Sequence, residues 1–221
     1  MSVFKTLELL GEGCLTSLSI FFLTLLFSLP LGFLICFGRM AKNRIVAAIF
    51  RVYISVMRGT PLMLQLFVVY YGPYYIFRIR LSRLGDHWMF IAVIVGFVLN
   101  YAAYFAEIYR TGIASVPHGQ YEAAQVLGMD RRRSFLLVIF PQVMRTALPA
   151  LGNEVITLVK DTSLAFAIGQ VEMFTKAKQL ASAQVSLVPY ILAAVIYYIF
   201  NFAVATALEK IEKRLARSGK R

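Results

Sequence analysis

Gly119-Gln120-Tyr121-Glu122-Ala123-Ala124-Gln125-Val126-Leu127-Gly128, the basic run Asp130-Arg131-Arg132-Arg133 behind it and the closing Phe140-Pro141 form a hydrophilic island in the middle of a greasy chain. On both sides of it the sequence is apolar over membrane-spanning lengths. Residues 13–38, 59–77, 87–106 and 179–208 contain no Asp, Glu, Lys or Arg, and about 20 apolar residues suffice to cross a hydrocarbon core. The chain is 59% hydrophobic, against roughly 45–50% in soluble domains, and its mean hydropathy is +0.70. It belongs in a bilayer. A fifth stretch, residues 150–169, has the length but carries Glu154, Lys160 and Asp161. It counts as a span because leaving it outside would strand Leu151, Val155, Ile156, Leu158, Val159, Leu164, Phe166 and Ile168 in water. The expected fold is all-α and integral to the membrane: one domain over residues 1–221, spans near 15–38, 56–77, 87–109, 150–169 and 186–208, and a hydrophilic loop near 111–141.

Charge sets the orientation. With five spans and the N-terminus outside, the inside segments hold Arg39, Lys42, Arg44, Arg51 and Arg58, then Arg110, Arg131, Arg132, Arg133 and Arg145. The inside tail adds Lys210, Lys213, Arg214, Arg217, Lys220 and Arg221. Outside lie Lys5, Arg78, Arg80, Arg83, Lys160, Lys176 and Lys178. The cation excess of cytoplasmic segments therefore puts the C-terminus and the Glu122 loop in the cytoplasm. A net charge of +12 spread over the ends of spans does not describe a nucleic-acid surface. The first apolar stretch is too long for a leader core, and Lys5, Glu8 and Glu12 before it do not make a basic leader, so the first span is expected to stay. Residues 1–14 read as an amphipathic lead-in on the outer interface. Cys14 and Cys36 fall at opposite ends of one expected helix, about 33 Å apart, and cannot pair with each other there.

Polar groups inside the spans are functional candidates, because an ionised side chain at membrane depth costs at least about 2.5–3.5 kcal/mol. Glu154 and Asp161 are two helical turns apart and share a face. Asn100, Tyr104 and Glu107 recur on one face of the third span. Asn100 and Gln65 join the two carboxylates as candidate substrate contacts. An α-amino acid would bring an ammonium to a carboxylate and a carboxylate to backbone N–H groups, Lys160 or Arg58. The plainer alternative has Lys160 and Asp161 snorkelling to the outer interface, Glu154 paired with an arginine and Glu107 paired with Arg110. Tyr70, Tyr71, Tyr74, Tyr75 and Trp88 rim the outer loop as interface anchors, and Arg58-Gly59-Thr60-Pro61-Leu62 opens a helix. The chain carries no G-x-x-x-x-G-K-[ST] phosphate loop, so any ATP must bind another chain. No metal-ligand cluster is expected, since His87 and His118 fall on opposite sides of the membrane.

The island is built as a presented helix. Residues 121–127 are good helix formers, Gly128 ends them as a C-cap, and Asp130 can cap a second helix. Three arginines near that second N-terminus oppose the helix dipole, which points to anionic lipid or acidic partner groups. This block resembles the EAA loop of permease subunits from ATP-binding-cassette importers: Glu-Ala-Ala, three residues, Gly, nine residues, Ile-x-Leu-Pro. Glu122, Ala123, Ala124, Gly128 and Pro141 fall on that spacing, with Val138 and Phe140 as conservative departures. Arg58-Gly59-Thr60-Pro61-Leu62, Ala106-Glu107-Ile108-Tyr109-Arg110-Thr111-Gly112-Ile113 and Lys160-Asp161-Thr162-Ser163-Leu164 resemble the polar amino acid branch.

The resemblance implies a transport subunit, not an enzyme, working in a bacterial cytoplasmic membrane. Glu122, Ala123, Ala124 and Gly128 would dock in a groove of a separate ATPase dimer that carries ATP and Mg²⁺. A second permease, identical or paralogous, and an extracytoplasmic amino acid-binding protein would complete the importer. The implied cargo is a cationic or zwitterionic amino acid, cystine included. A secondary transporter coupled through Glu154 or Asp161 is the alternative within the transporter class, and it would be expected to show inverted repeats, which are not visible. A membrane enzyme would need a His, Cys, Asp or Glu constellation at one face, and the two histidines do not supply it.

Overall fold

The computed structural model describes residues 3–218, and among these every regular element is a helix. Lys220 and Arg221 of the expected cytoplasmic tail lie outside the described residues. Helix α1 runs from Val3 to Arg39, so the lead-in and the first span are one helix, with Cys14 and Cys36 on it. It passes through Pro30, and its most extensive packing is against α4, Asp86–Ala114. Small residues let the two backbones approach. A Cβ added to Gly32 would lie 2.8 Å from Phe105 Cβ and 3.0 Å from the Ala102 carbonyl oxygen, the close contact that membrane helices use in place of a hydrophobic driving force. Helix α4 is the core: Val93, Phe97, Tyr101, Phe105 and Tyr109 line a buried stripe at four-residue spacing.

The expected second span is a bent pair. Helix α2, Arg44–Gly59, is capped by the Asn43 side chain, which accepts from the Ile45 and Val46 N–H groups at 2.9 and 3.4 Å. Helix α3, Leu62–Phe77, leaves it at 113°. Pro61 explains the break, since it forces the preceding Thr60 into extended backbone, φ −124° and ψ 148°. Helix α3 is about 24 Å long at 1.5 Å per residue, short of a core about 30 Å thick.

After α4 comes the short helix α5, His118–Val126, then one continuous helical run from Arg131 to Ile168. The run starts as α6, Arg131–Arg133, widens to a π turn over Ser134–Ile139, continues as α7, Phe140–Asp161, and tightens to 3₁₀ over Thr162–Ile168. The apolar run is therefore longer at its N-terminal end than residues 150–169. Pro141 accounts for the π turn: it has no N–H to offer the carbonyl one turn back, and the Phe140 N–H bonds to Phe135 O instead. Helix α8, Met173–Gln184, leads into α9, Val188–Ser218. Among the described residues four helical runs are long and apolar enough to cross a membrane, and five if the α2–α3 pair is one span. Much of α9 is exposed apolar surface, including Ile191, Val195, Ile199 and Phe202.

Candidate functional site

The Glu122 segment folds as a presented helix. Helix α5 ends in a Schellman cap: the Gly128 N–H bonds to Gln125 O at 2.9 Å and the Met129 N–H to Ala124 O at 3.0 Å. Gly128 takes φ +73°, the left-handed conformation this cap requires. Asp130 then caps α6, accepting from the Arg133 N–H at 2.8 Å. Glu122, Ala123 and Gly128 are exposed, whereas Ala124 is buried within the chain, where α5 packs on the π turn. Val126 and Leu127 are 87% and 75% exposed at the end of the helix. Sequence reading counted them only as helix formers.

Asn100 and Gln65, two of the candidate residues, meet at the α2–α3 break. The Asn100 amide donates to Met57 O at 3.1 Å and to Gln65 Oε1 at 2.9 Å. Gln65 in turn donates to Met57 O at 2.9 Å, Thr60 O at 3.0 Å and Thr60 Oγ1 at 2.8 Å. The two amides thus satisfy carbonyls that the end of α2 leaves without helical partners, and their donor hydrogens are consumed in doing so. Arg58, in the same break, sits over the Tyr104 ring, 5.3 Å from its centroid.

Helix α7 packs on α4 and carries Glu154 and Asp161 two turns apart on one face. Asp161 accepts from the Tyr101 hydroxyl at 2.7 Å. Glu154 is partly exposed, within electrostatic reach of Arg58 and Asp161. Lys160 is exposed, while Asp161 is held inward by Tyr101, so the adjacent pair does not act as one interfacial unit. Glu107 makes the expected ion pair with Arg110 at 2.6 Å and so is not free for cargo.

Two residues outside the sequence-based candidates also hold polar contacts: Tyr101, on Asp161, and Glu172. The latter is fully buried and accepts from the Phe174 and Thr175 N–H groups at 2.7 Å each and from Tyr197 OH at 3.1 Å; Thr175 Oγ1 at 2.9 Å and Ser17 Oγ at 3.3 Å also face it, each sharing its hydrogen with a carbonyl, Gln170 O and Gly13 O. It caps α8 and ties it to α1 and α9. The sequence carries little signal for this role, since Glu is not among the favoured N-cap residues.

Comparison with known proteins places this geometry. Residues 16–217 match the family described as binding-protein-dependent transport system inner membrane component. The chain is similar to the L-cystine transport system permease protein TcyB of Bacillus subtilis, 37% identical over 95% of this chain and 87% of that protein. It is also similar to the nopaline transport system permease protein NocM of Agrobacterium fabrum, 41% identical over 86% of this chain and 80% of that one. A chain in the crystal structure of an amino acid ABC transporter with histidines superposes with a TM-score of 0.85 at 32% identity, covering 97% of this chain and all (100%) of that chain. The methionine transporter MetNI shares the fold, with a TM-score of 0.69 at 17% identity. A bundle of apolar helices with a capped polar helix after α4, matched over nearly its whole length, is thus a bacterial membrane permease chain: it belongs to the family of binding-protein-dependent transport system inner membrane components.

Proposed function

We propose that this chain is the permease of an ATP-driven importer of a cationic or zwitterionic amino acid, cystine included, with its N-terminus outside and its C-terminus in the cytoplasm. The observation that carries the cargo class is that α4 serves two polar clusters from neighbouring residues, Asn100 with Gln65 at the helix break and Tyr101 with Asp161, while Glu154 lies within electrostatic reach of Arg58. Glu154 offers a carboxylate to the cargo ammonium. Arg58 and the N–H groups that open α3 suit the cargo carboxylate. Asn100 and Gln65 have spent their donors on the break, and the partly exposed Gln65 keeps one lone pair of its amide oxygen for a cargo N–H group. Asp161, fixed by Tyr101, adds a second negative charge that suits a cationic side chain.

Helix α5 is the handle for a separate ATPase dimer, which binds ATP and Mg²⁺. Glu122, Ala123 and Gly128, with Val126 and Leu127, form the surface that docks, and Ala124 anchors the helix to its own chain. A second permease chain and an external binding protein complete the machine, and the two permeases alternate access as the ATPases close and reopen. Ion-coupled secondary transport is the competing scheme.

The test is uptake of arginine, lysine, histidine, glutamine and cystine by the reconstituted complex, with Glu154→Gln and Asp161→Asn. At least one cargo should lose uptake by about tenfold or more, the loss of roughly one charge-assisted hydrogen bond. Full uptake of all five by both variants would make the carboxylates structural. Uptake that persists without any nucleotide would favour the ion-coupled scheme.

A further inference from the structure

At the end of α4 opposite α5, the chain folds back on itself. Arg78 takes φ 59° after the last turn of α3, its N–H bonding to Tyr74 O and the Ile79 N–H to Pro73 O, both at 3.0 Å. This turn lays Ile79 and Arg80 beside Tyr70, Tyr71, Tyr74 and Tyr75, closing a cleft of about 450 Å³. The tyrosines brace one another: Tyr70 and Tyr71 meet edge to face at 4.7 Å, as do Tyr74 and Tyr75 at 5.4 Å. Trp88 of α4 pins the wall by donating its indole N–H to Tyr70 O at 3.2 Å. The Arg80 guanidinium lies 5.9 Å from the Tyr74 ring centroid, above the cleft.

Two features give the cleft a chemistry. The first is charge. Arg78, Arg80 and Arg83 crowd a short tract on the side where membrane proteins carry few cations, and among the described residues none of them forms an ion pair with a carboxylate. The second is the continuity of the cleft with an apolar outer wall. Tyr75, Ile76, Phe77 and Ile79 are 69%, 68%, 69% and 51% exposed, a surface suited to acyl chains. A guanidinium and phenol hydroxyls over an apolar wall complement an anion that carries a hydrocarbon tail. A soluble acidic protein would match the charge but not the wall.

We infer that this cleft binds the phosphate headgroup of an anionic phospholipid, with Arg80 and Tyr74 on the phosphate and an acyl chain along Ile79 and Tyr75. Its place in the outer leaflet rests on the orientation proposed above. The occupied cleft would neutralise the arginine tract and fasten the outer end of α3, which leads directly to the break at Thr60-Pro61.

The test uses the purified permease–ATPase complex in vesicles of phosphatidylcholine, with or without phosphatidylglycerol, followed by native mass spectrometry for retained lipid. The wild type should retain phosphatidylglycerol in the presence of inorganic phosphate. Arg80→Gln should lower retention about tenfold and Tyr74→Phe, which keeps the ring but loses the hydroxyl, about threefold. Lys210→Gln, the same charge change in the tail, should leave it unchanged. Equal retention by Arg80→Gln, or displacement by free phosphate, overturns the site. A drop in binding-protein-stimulated ATPase at unchanged lipid retention would instead make the cleft a protein dock. Orientation is read separately by impermeant thiol labelling of Arg83→Cys: reaction only from the cytoplasmic side overturns the outer-leaflet placement, while lipid retention still decides the headgroup site.

Discussion

Glu172 shows how far one residue can bind a membrane fold together. A buried carboxylate without a cation is expensive, by several kcal/mol per ion, and it persists here because five donors from α1, α8 and α9 converge on it. Both of its oxygens are used, so Glu172→Gln turns one acceptor into a donor facing donors. The variant should lose roughly 2–3 kcal/mol of stability, the scale of hydrogen bonds to a charged group, read as a lower melting temperature of the purified complex. Adding Ser17→Ala to it should cost less than Ser17→Ala alone, because the partner is already disturbed. Strict additivity would mean that Ser17 and Glu172 are not coupled. The residue was hard to recognise in sequence, where an acid near an outer loop reads as solvated surface. Its role depends on Ser17, 155 positions away, and Tyr197, 25 away. Glu107 was legible for the opposite reason: its partner Arg110 is one helical turn along the same helix.

Among the elements, α5 and the α2–α3 break behave differently. The shape of α5 follows from local chemistry: helix formers, a glycine where φ must be positive and an aspartate where an N-cap is needed. Gly128→Val puts a branched side chain at φ +73°, at a cost of about 1–2 kcal/mol. It should disturb the docking surface without affecting membrane insertion. The expected readout is normal chain level with binding-protein-stimulated ATPase and uptake both reduced several-fold; unchanged uptake would remove α5 from the coupling role. At the break, Pro61 marked the site but not what holds it. The Gln65–Asn100 pair does so by filling open carbonyls of α2 across from α4. Gln65→Leu and Asn100→Leu should each slow uptake, and their double variant should show a coupling of about 0.5–3 kcal/mol in rate. Independent effects would mean that the two amides do not act as a unit.

For the whole molecule, orientation is the property on which the functional reading turns. Single cysteines at Glu122 and at Arg83, in a background with Cys14 and Cys36 replaced by serine, should react with an impermeant thiol reagent only from the cytoplasmic and only from the outer side, respectively. Labelling of both from one side would invert or break the proposed topology. The amino-acid sequence by itself determined the helical class, the apolar stretches that become four or five candidate spans and the capped helix that follows α4, because apolar length, helix caps and proline act over a few neighbouring residues. Only the tertiary structure decided which polar groups meet: Asn100 on Gln65, Tyr101 on Asp161 and Ser17 and Tyr197 on Glu172. It also turned Ala124 inward and bent the second span. Those outcomes depend on the rotation and crossing of helices distant in sequence, set by the packing of many side chains at once, whereas each span's own pattern fixes little beyond which segment enters the lipid.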